Sequence, residues 1–182
     1  GMKGSIHPEI PLVAWASKRI GRPVKWTCER TEGFVADDHA RDNVSDAELA
    51  LDAEGQFLAL RVRTNASVGA YLAFMGHAPP TGNIGTMAGQ YRTPAMHVVV
   101  NGVFTNNNPV SPYRGAGRPE AAYIMERLVH IAATQLGKDP VELRRRNLIA
   151  PEQMPFKTGL TFTYDCGEFE QLMDDCLERS EH

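Results

Sequence analysis

The stretch Ser111-Pro112-Tyr113-Arg114-Gly115-Ala116-Gly117-Arg118-Pro119-Glu120-Ala121 sets the reading of this chain, because a glycine-opened loop with two arginines runs straight into a long amphipathic segment. Gly115 and Gly117 let the backbone turn tightly and bring its N–H groups close to a ligand. The helix N-terminus beyond them favours negative charge. Pro119 suits the first helical turn, where its missing N–H costs nothing. From spacing alone the loop reads as an anion-holding element or as an ordinary turn before a helix. Either way a helix is predicted over residues 118–136, with Ala122, Met125, Leu128, Val129, Ala132 and Leu136 as its apolar stripe and Gly137 as its stop.

Upstream of the loop, Val98, Val99, Val100, Val103 and Phe104 predict a buried strand over residues 96–105. Residues 69–90, rich in glycine, proline and small side chains, read as a long, partly buried loop. Before them, residues 47–51 and 57–64 flank Asp52-Ala53-Glu54-Gly55 and predict a hairpin. Leu58, Leu60 and Val62 alternate there with Arg61 and Arg63, which leaves one face wet. Residues 29–43 are a polar connection with one helical turn. A strand over residues 24–28 and a helix over residues 7–20, with Pro8 and Pro11 in its first turn and Gly21 at its end, precede them. Downstream, Asp139-Pro140-Val141-Glu142 reads as a capping box opening a helix through Asn147, and residues 169–177 as a last helix. No internal repeat interrupts this order, and the class it implies is α+β, with mixed helix and sheet layers.

Composition narrows the function classes. With 42% hydrophobic and 23% charged residues the chain falls among ordinary soluble domains, and no apolar run is long enough for a membrane span. A net charge of −3 gives no electrostatic case for nucleic acid. Arg144-Arg145-Arg146, the single basic cluster, reads as a solvated helix face. Cys28, Cys166 and Cys176 lack any Cys-x-x-Cys spacing, which signals neither an iron–sulfur cluster nor zinc; they read as buried thiols in a reducing, cytoplasmic compartment. Asp37, Asp38, His39 and Asp42 offer no defensible ligand geometry and read as a solvated turn, while His77 and His97 are isolated. The Gly115 loop has neither the Walker lysine spacing nor a dinucleotide fingerprint, which places nucleotide binding last.

The loop as written resembles the molybdenum-cofactor loop of the large subunit in the xanthine dehydrogenase, aldehyde oxidase and aerobic carbon monoxide dehydrogenase family. The resemblance spreads over the whole chain. Gly1-Met2-Lys3-Gly4 is similar to the tail of that family's Gly-Gly-Phe-Gly-x-Lys turn, although Gly1-Met2 also reads as a cloning scar before a start codon. Gly21-Arg22-Pro23-Val24, Glu29-Arg30-Thr31-Glu32-Gly33-Phe34, Gly89-Gln90-Tyr91-Arg92-Thr93-Pro94 and Glu142-Leu143-Arg144-Arg145-Arg146-Asn147-Leu148 carry the rest.

A family large subunit is several times longer than 182 residues, so the expectation is one partial molybdopterin-binding domain over residues 1–182, an engineered domain, a truncated frame or part of a split subunit. The resemblance implies that Gly1, Tyr113, Arg114, Gly115 and Ala116 bind molybdopterin in the complete subunit, with none held by the isolated chain. Arg114 would fix cofactor geometry through its backbone and local charge, against the alternative of a salt bridge to a carboxylate. Tyr113 lines the pocket or merely packs, and Arg118 braces the helix. The family's catalytic glutamate belongs beyond His182, so no catalytic residue is assigned and the isolated chain is expected to be inactive. The implied partners are the remaining part of the large subunit and the iron–sulfur and flavin subunits. Where the carbon monoxide oxidisers place a copper-binding cysteine, this chain has Gly115; where purine oxidisers place a glutamate, Gly4 follows Lys3, and residues 71–90 hold no arginine. Oxidation of an aldehyde or another small carbonyl or heteroaromatic compound, with oxygen from water, is what remains. The alternative is a non-catalytic scaffold that associates with itself or a partner, as a homo-oligomer or otherwise.

Overall fold

The computed structural model describes residues 6–180. Helices α1 (Glu9–Ile20) and α2 (Arg30–Ala36) precede a sheet in which β1 (Asn43–Leu51) and β2 (Phe57–Gly69) form the expected antiparallel hairpin. Helix α3 (Ala78–Thr86) follows, and β3 (Ala95–Phe104) then lies parallel to the other side of β2, giving the order β1-β2-β3. Parallel neighbours need a crossover, and α3 sits in it. Helices α4 (Arg118–Leu136) and α5 (Pro140–Asn147), a small antiparallel pair β4 (Phe156–Lys157) and β5 (Thr163–Tyr164), and α6 (Phe169–Arg179) complete the chain. The architecture is α+β, as the order of predicted elements implies.

The core lies between the sheet and α4. Along β2, Leu60, Val62, Thr64, Ala66 and Val68 are buried while Arg61, Arg63 and Asn65 face water. Against that inner face pack Ala121, Met125, Val129 and Ala133 of α4, joined by Phe57, Met87, Tyr91 and Leu143. Each large apolar side chain so buried contributes about 1.5–3 kcal/mol. Several polar groups inside are satisfied, although Thr93 Oγ1 has no partner among the described residues. Asn147 accepts the Phe57 N–H at 2.8 Å and donates to the Gly55 and Leu143 carbonyls, both at 2.9 Å, which ties α5 to the hairpin. Tyr91 donates to Glu126 at 2.6 Å, and burial, reinforced by that carboxylate, pushes its phenol well above the usual range. Asp139 caps α5 by accepting from the Val141 and Glu142 N–H groups at 2.6 and 3.0 Å.

Several local expectations are corrected. Residues 24–28 form no strand: they pair with nothing among the described residues, and Trp26 is exposed. In β2 a bulge inserts Leu58, so Leu58 turns outward and Phe57 takes the inner position. Residues 69–90 are not one loop but contain α3. Its prolines sit in the first turn, and its glycines allow close packing that periodicity does not reveal: a Cβ on Gly82 would stand 2.6 Å from the Ala116 carbonyl oxygen. β3 is an edge strand with Val103 and Phe104 exposed, because no strand among the described residues covers its far side. The buried face of α4 runs through Ala121, Met125, Val129 and Ala132, leaving Ala122 and Leu136 exposed. All three cysteines are exposed rather than buried. Arg144 and Arg145 are not simply solvated, since Arg144 pairs with Glu126 at 2.8 Å and Arg145 with Glu170 at 2.8 Å and Asp174 at 2.6 Å, which docks α6 onto α5.

Candidate functional site

The loop that leads into α4 carries an unusual backbone. Gly115, Ala116 and Gly117 all adopt positive φ, at +91°, +42° and +98°. Two of the three are glycines, for which this conformation is free; Ala116 holds it at a cost on the order of 1 kcal/mol. Glycine is also required by space at position 117, where a Cβ would stand 2.0 Å from the Pro79 carbonyl oxygen of α3. The loop is thereby pressed between α3 and the first turn of α4. Two backbone bonds close it, Ala116 N–H to Tyr113 O at 2.7 Å and Arg118 N–H to Gly115 O at 3.0 Å, and the Arg118 guanidinium adds a 3.4 Å bond to that same Gly115 oxygen. Arg118 braces the helix start, as expected. Among the described residues, the N–H groups of Arg114, Gly115 and Gly117 have no acceptor.

A strap formed by residues 37–42 holds this loop from the side. The His39 N–H donates to Pro109 O at 2.8 Å and the Ser111 N–H to His39 O at 3.0 Å, a short parallel bridge. The Ser111 hydroxyl donates to Asp38, Asn107 to Asp42 at 3.3 Å, and Asn108 to the Asp37 carbonyl at 3.4 Å. The acidic turn is therefore a structural clamp rather than a solvated one. Arg41, at its end, donates to the Arg114 carbonyl at 3.1 Å, meets Glu120 at 3.1 Å, and lies 5.6 Å from the Tyr113 ring centroid. A cleft of about 870 Å³ opens beside the strap, lined by Cys28, Gly33, Phe34, His39, Arg41 and Tyr113. A smaller hollow of about 400 Å³ among Asp46, Glu48, Arg61, Arg63 and His97 lies on the wet face of the sheet and is lined by no residue of the loop.

Of the residues singled out from sequence, Tyr113, Arg114, Gly115 and Ala116 thus stand together, whereas Gly1 lies outside the described residues. The Arg114 guanidinium is exposed and makes no ion pair among the described residues. Two further polar groups beside the loop were not legible in the sequence. Asn83 on α3 is fully buried, its backbone N would stand 3.1 Å from a Cβ on Gly117, and neither side-chain amide atom has a partner among the described residues. Glu120 uses one carboxylate oxygen on Arg41 and leaves the other buried without a partner among the described residues. Only their juxtaposition with a loop that begins far along the chain, at Tyr113, in the one case, and with Arg41 in the other, marks them, and local pattern carries no trace of that. No group of three or more histidine, cysteine or acidic side chains among the described residues is placed to hold a metal ion, and no described helix is long and apolar enough to cross a membrane.

The family model of the molybdopterin cofactor-binding domain matches residues 1–148. The gamma subunit of the 6-hydroxypseudooxynicotine dehydrogenase complex of Paenarthrobacter nicotinovorans is 37% identical over 98% of this chain, and the large chain of carbon monoxide dehydrogenase of Hydrogenophaga pseudoflava is 37% identical over 98%. The chain spans 23% and 22% of the length of these two relatives. Among solved structures, quinoline 2-oxidoreductase of Pseudomonas putida 86 superposes with a TM-score of 0.90 at 36% identity, covering 100% of this chain and 23% of that one. With the model matched over most of its length and these relatives over nearly all of it, the chain belongs to the molybdopterin cofactor-binding domain family of the molybdenum hydroxylase large subunits.

Proposed function

We propose that residues 113–117 hold the molybdopterin cofactor in a molybdenum hydroxylase that oxidises an aldehyde or another small carbonyl or heteroaromatic compound. The observation that carries this reading is the run of positive-φ residues at 115–117, whose Arg114, Gly115 and Gly117 N–H groups have no acceptor among the described residues, flanked by α3 and α4, which carry the Asn83 amide and a Glu120 oxygen that likewise have no partner among those residues. A cofactor with a phosphate and an amide-rich ring supplies partners for both kinds of group, so the residues fit it. When bound, that cofactor supplies the two-electron chemistry of hydroxylation. The chain's own part is to offer backbone donors at Gly115 and Gly117, positive charge at Arg114, and an aromatic wall at Tyr113. Gly115 stands where a copper-ligating cysteine would be needed for carbon monoxide, which favours organic substrates. The names of two relatives, quinoline 2-oxidoreductase and the 6-hydroxypseudooxynicotine dehydrogenase subunit, favour the heteroaromatic end of that range.

The same reading takes the remaining part of the large subunit and iron–sulfur and flavin subunits as partners, in the cytoplasm. The exposed apolar side chains Trp15, Phe34 and Phe104 support a covering polypeptide. They equally suit a second reading, a non-catalytic scaffold that associates with itself. Metal content decides between them. Molybdenum near one per complex is expected by plasma mass spectrometry when this chain is produced with the rest of its large subunit, and none with the chain alone. In that complex Gly115→Val should abolish retention, both through lost access to the backbone and because a Cβ at this position meets the Pro119 ring at 2.6 Å. Unchanged molybdenum in that variant would sink the loop assignment.

A further inference from the structure

We infer that Arg41 is a positioning residue that aims the Gly115 N–H, and this rests on the cofactor reading given above. The argument begins with the peptide plane between Arg114 and Gly115. In a trans peptide the carbonyl of one residue and the N–H of the next point in opposite directions. Fixing the Arg114 carbonyl therefore fixes where the Gly115 N–H points. Left alone, a peptide followed by glycine at φ +91° turns over readily, because no Cβ opposes it on that side. Arg41 removes that freedom by donating from Nη2 to the Arg114 oxygen at 3.1 Å.

The hold is built from three sides. The guanidinium is a rigid planar fork, so Nε can meet Glu120 at 3.1 Å while Nη2 keeps the carbonyl. Glu120 belongs to the first turn of α4 and its side chain is only 12% exposed, so the pair is anchored in the helix rather than waving in solvent. The Tyr113 ring, with its centroid 5.6 Å from Cζ, lies against the same guanidinium. The strap bonds of residues 37–42 to residues 107–111 place Arg41 itself. One side chain thus links the strap, the loop and α4, and the Gly115 N–H, which has no acceptor among the described residues, faces away from it. Lysine keeps the charge at this position but has no second donor fixed in that plane.

The test uses the complete large subunit in its complex, with Arg41→Met and Arg41→Lys, and two readouts: molybdenum per complex, and amide hydrogen exchange of residues 113–118 compared with β2. In Arg41→Met, exchange of residues 113–118 should rise about tenfold or more, as expected from losing one charge-assisted hydrogen bond, while β2 stays unchanged and molybdenum falls. Arg41→Lys should lie between the two. Exchange in 113–118 equal to the parent in both variants overturns the inference even if the parent holds molybdenum, in which case the cofactor reading stands. A uniform rise that includes β2 overturns it as well, since Arg41 would then hold the fold and not the loop. A parent complex without molybdenum sinks the cofactor reading instead, and the exchange comparison still decides whether Arg41 fixes the loop.

Discussion

Asn147 and Asn83 are both shut away from water, and the two regions around them are built differently. Beneath the hairpin, the Asn147 amide is used completely, with three bonds to Phe57, Gly55 and Leu143. Between α3 and the glycine loop, the Asn83 amide is used by nothing among the described residues. Leaving a buried amide unpaired costs on the order of 1–3 kcal/mol. The Asn147 junction is therefore self-sufficient, whereas the α3–loop junction is closed by backbone contact and leaves polar capacity over among the described residues. Under the proposed function that surplus serves the cofactor or the remaining large subunit.

The largest expected effect lies at the junction itself. Gly117→Val drives a side chain into the Pro79 carbonyl and forces a β-branched residue to φ +98°, so a loss of more than about 4 kcal/mol is expected. A variant melting within about 3 °C of the parent in a circular-dichroism scan would show that the junction yields, and would break the contrast. Next comes Asn147→Leu, which strands the Phe57 N–H and the Gly55 carbonyl and should cost about 2–4 kcal/mol in urea unfolding. A cost near zero would mean the interior does not depend on that amide.

Tyr91 sharpens the same side of the comparison. Its phenol is raised above the ordinary value of 10.0, first by burial and then by the hydrogen bond to Glu126. The folded state thus favours the protonated form: the contribution is complete below pH 10 and is lost as pH rises above it. Tyr91→Phe should cost about 1 kcal/mol at neutral pH and flatten the fall in stability that begins at about pH 10. A parallel fall in both proteins would remove Tyr91 from the account. The smallest effect is expected at Asn83→Leu, which loses no bond within the described residues and should change stability of this chain by less than about 1 kcal/mol. If it proves as damaging as Asn147→Leu, the two regions are alike after all. In the complete subunit the same Asn83 variant should lower molybdenum content, which sequence-local effects on stability would not.

Much of the scaffold was legible because its signals are local. The hairpin shows itself by alternation around Asp52-Ala53-Glu54-Gly55, α4 by its 3.6-residue stripe and Gly137, and α5 by Asp139 at its cap. Where local signals fail, packing is the cause. Helix α3 has no apolar stripe, and its glycines let the backbones of α3 and the loop touch. The bulge at Leu58 reverses the in–out phase for a single residue, which no alternation rule anticipates. The edge position of β3 depends on which strand lies beside it, and a run of valines reads the same in either place.

The site divides along the same line. By itself the sequence determined the fold class, the helix and hairpin frame, and the loop of Tyr113, Arg114, Gly115 and Ala116, since glycines, arginines and a proline at that spacing have a local physical meaning. Tertiary structure alone decided that Arg41, Glu120, Asn83 and the strap of residues 37–42 gather around that loop. Arg41 and Glu120 are 79 positions apart in the chain, and their pairing follows only from the way β1 and α4 are brought together by burial of the core between them. Non-directional apolar packing sets that distance, and the directional polar contacts at the loop exist because it does.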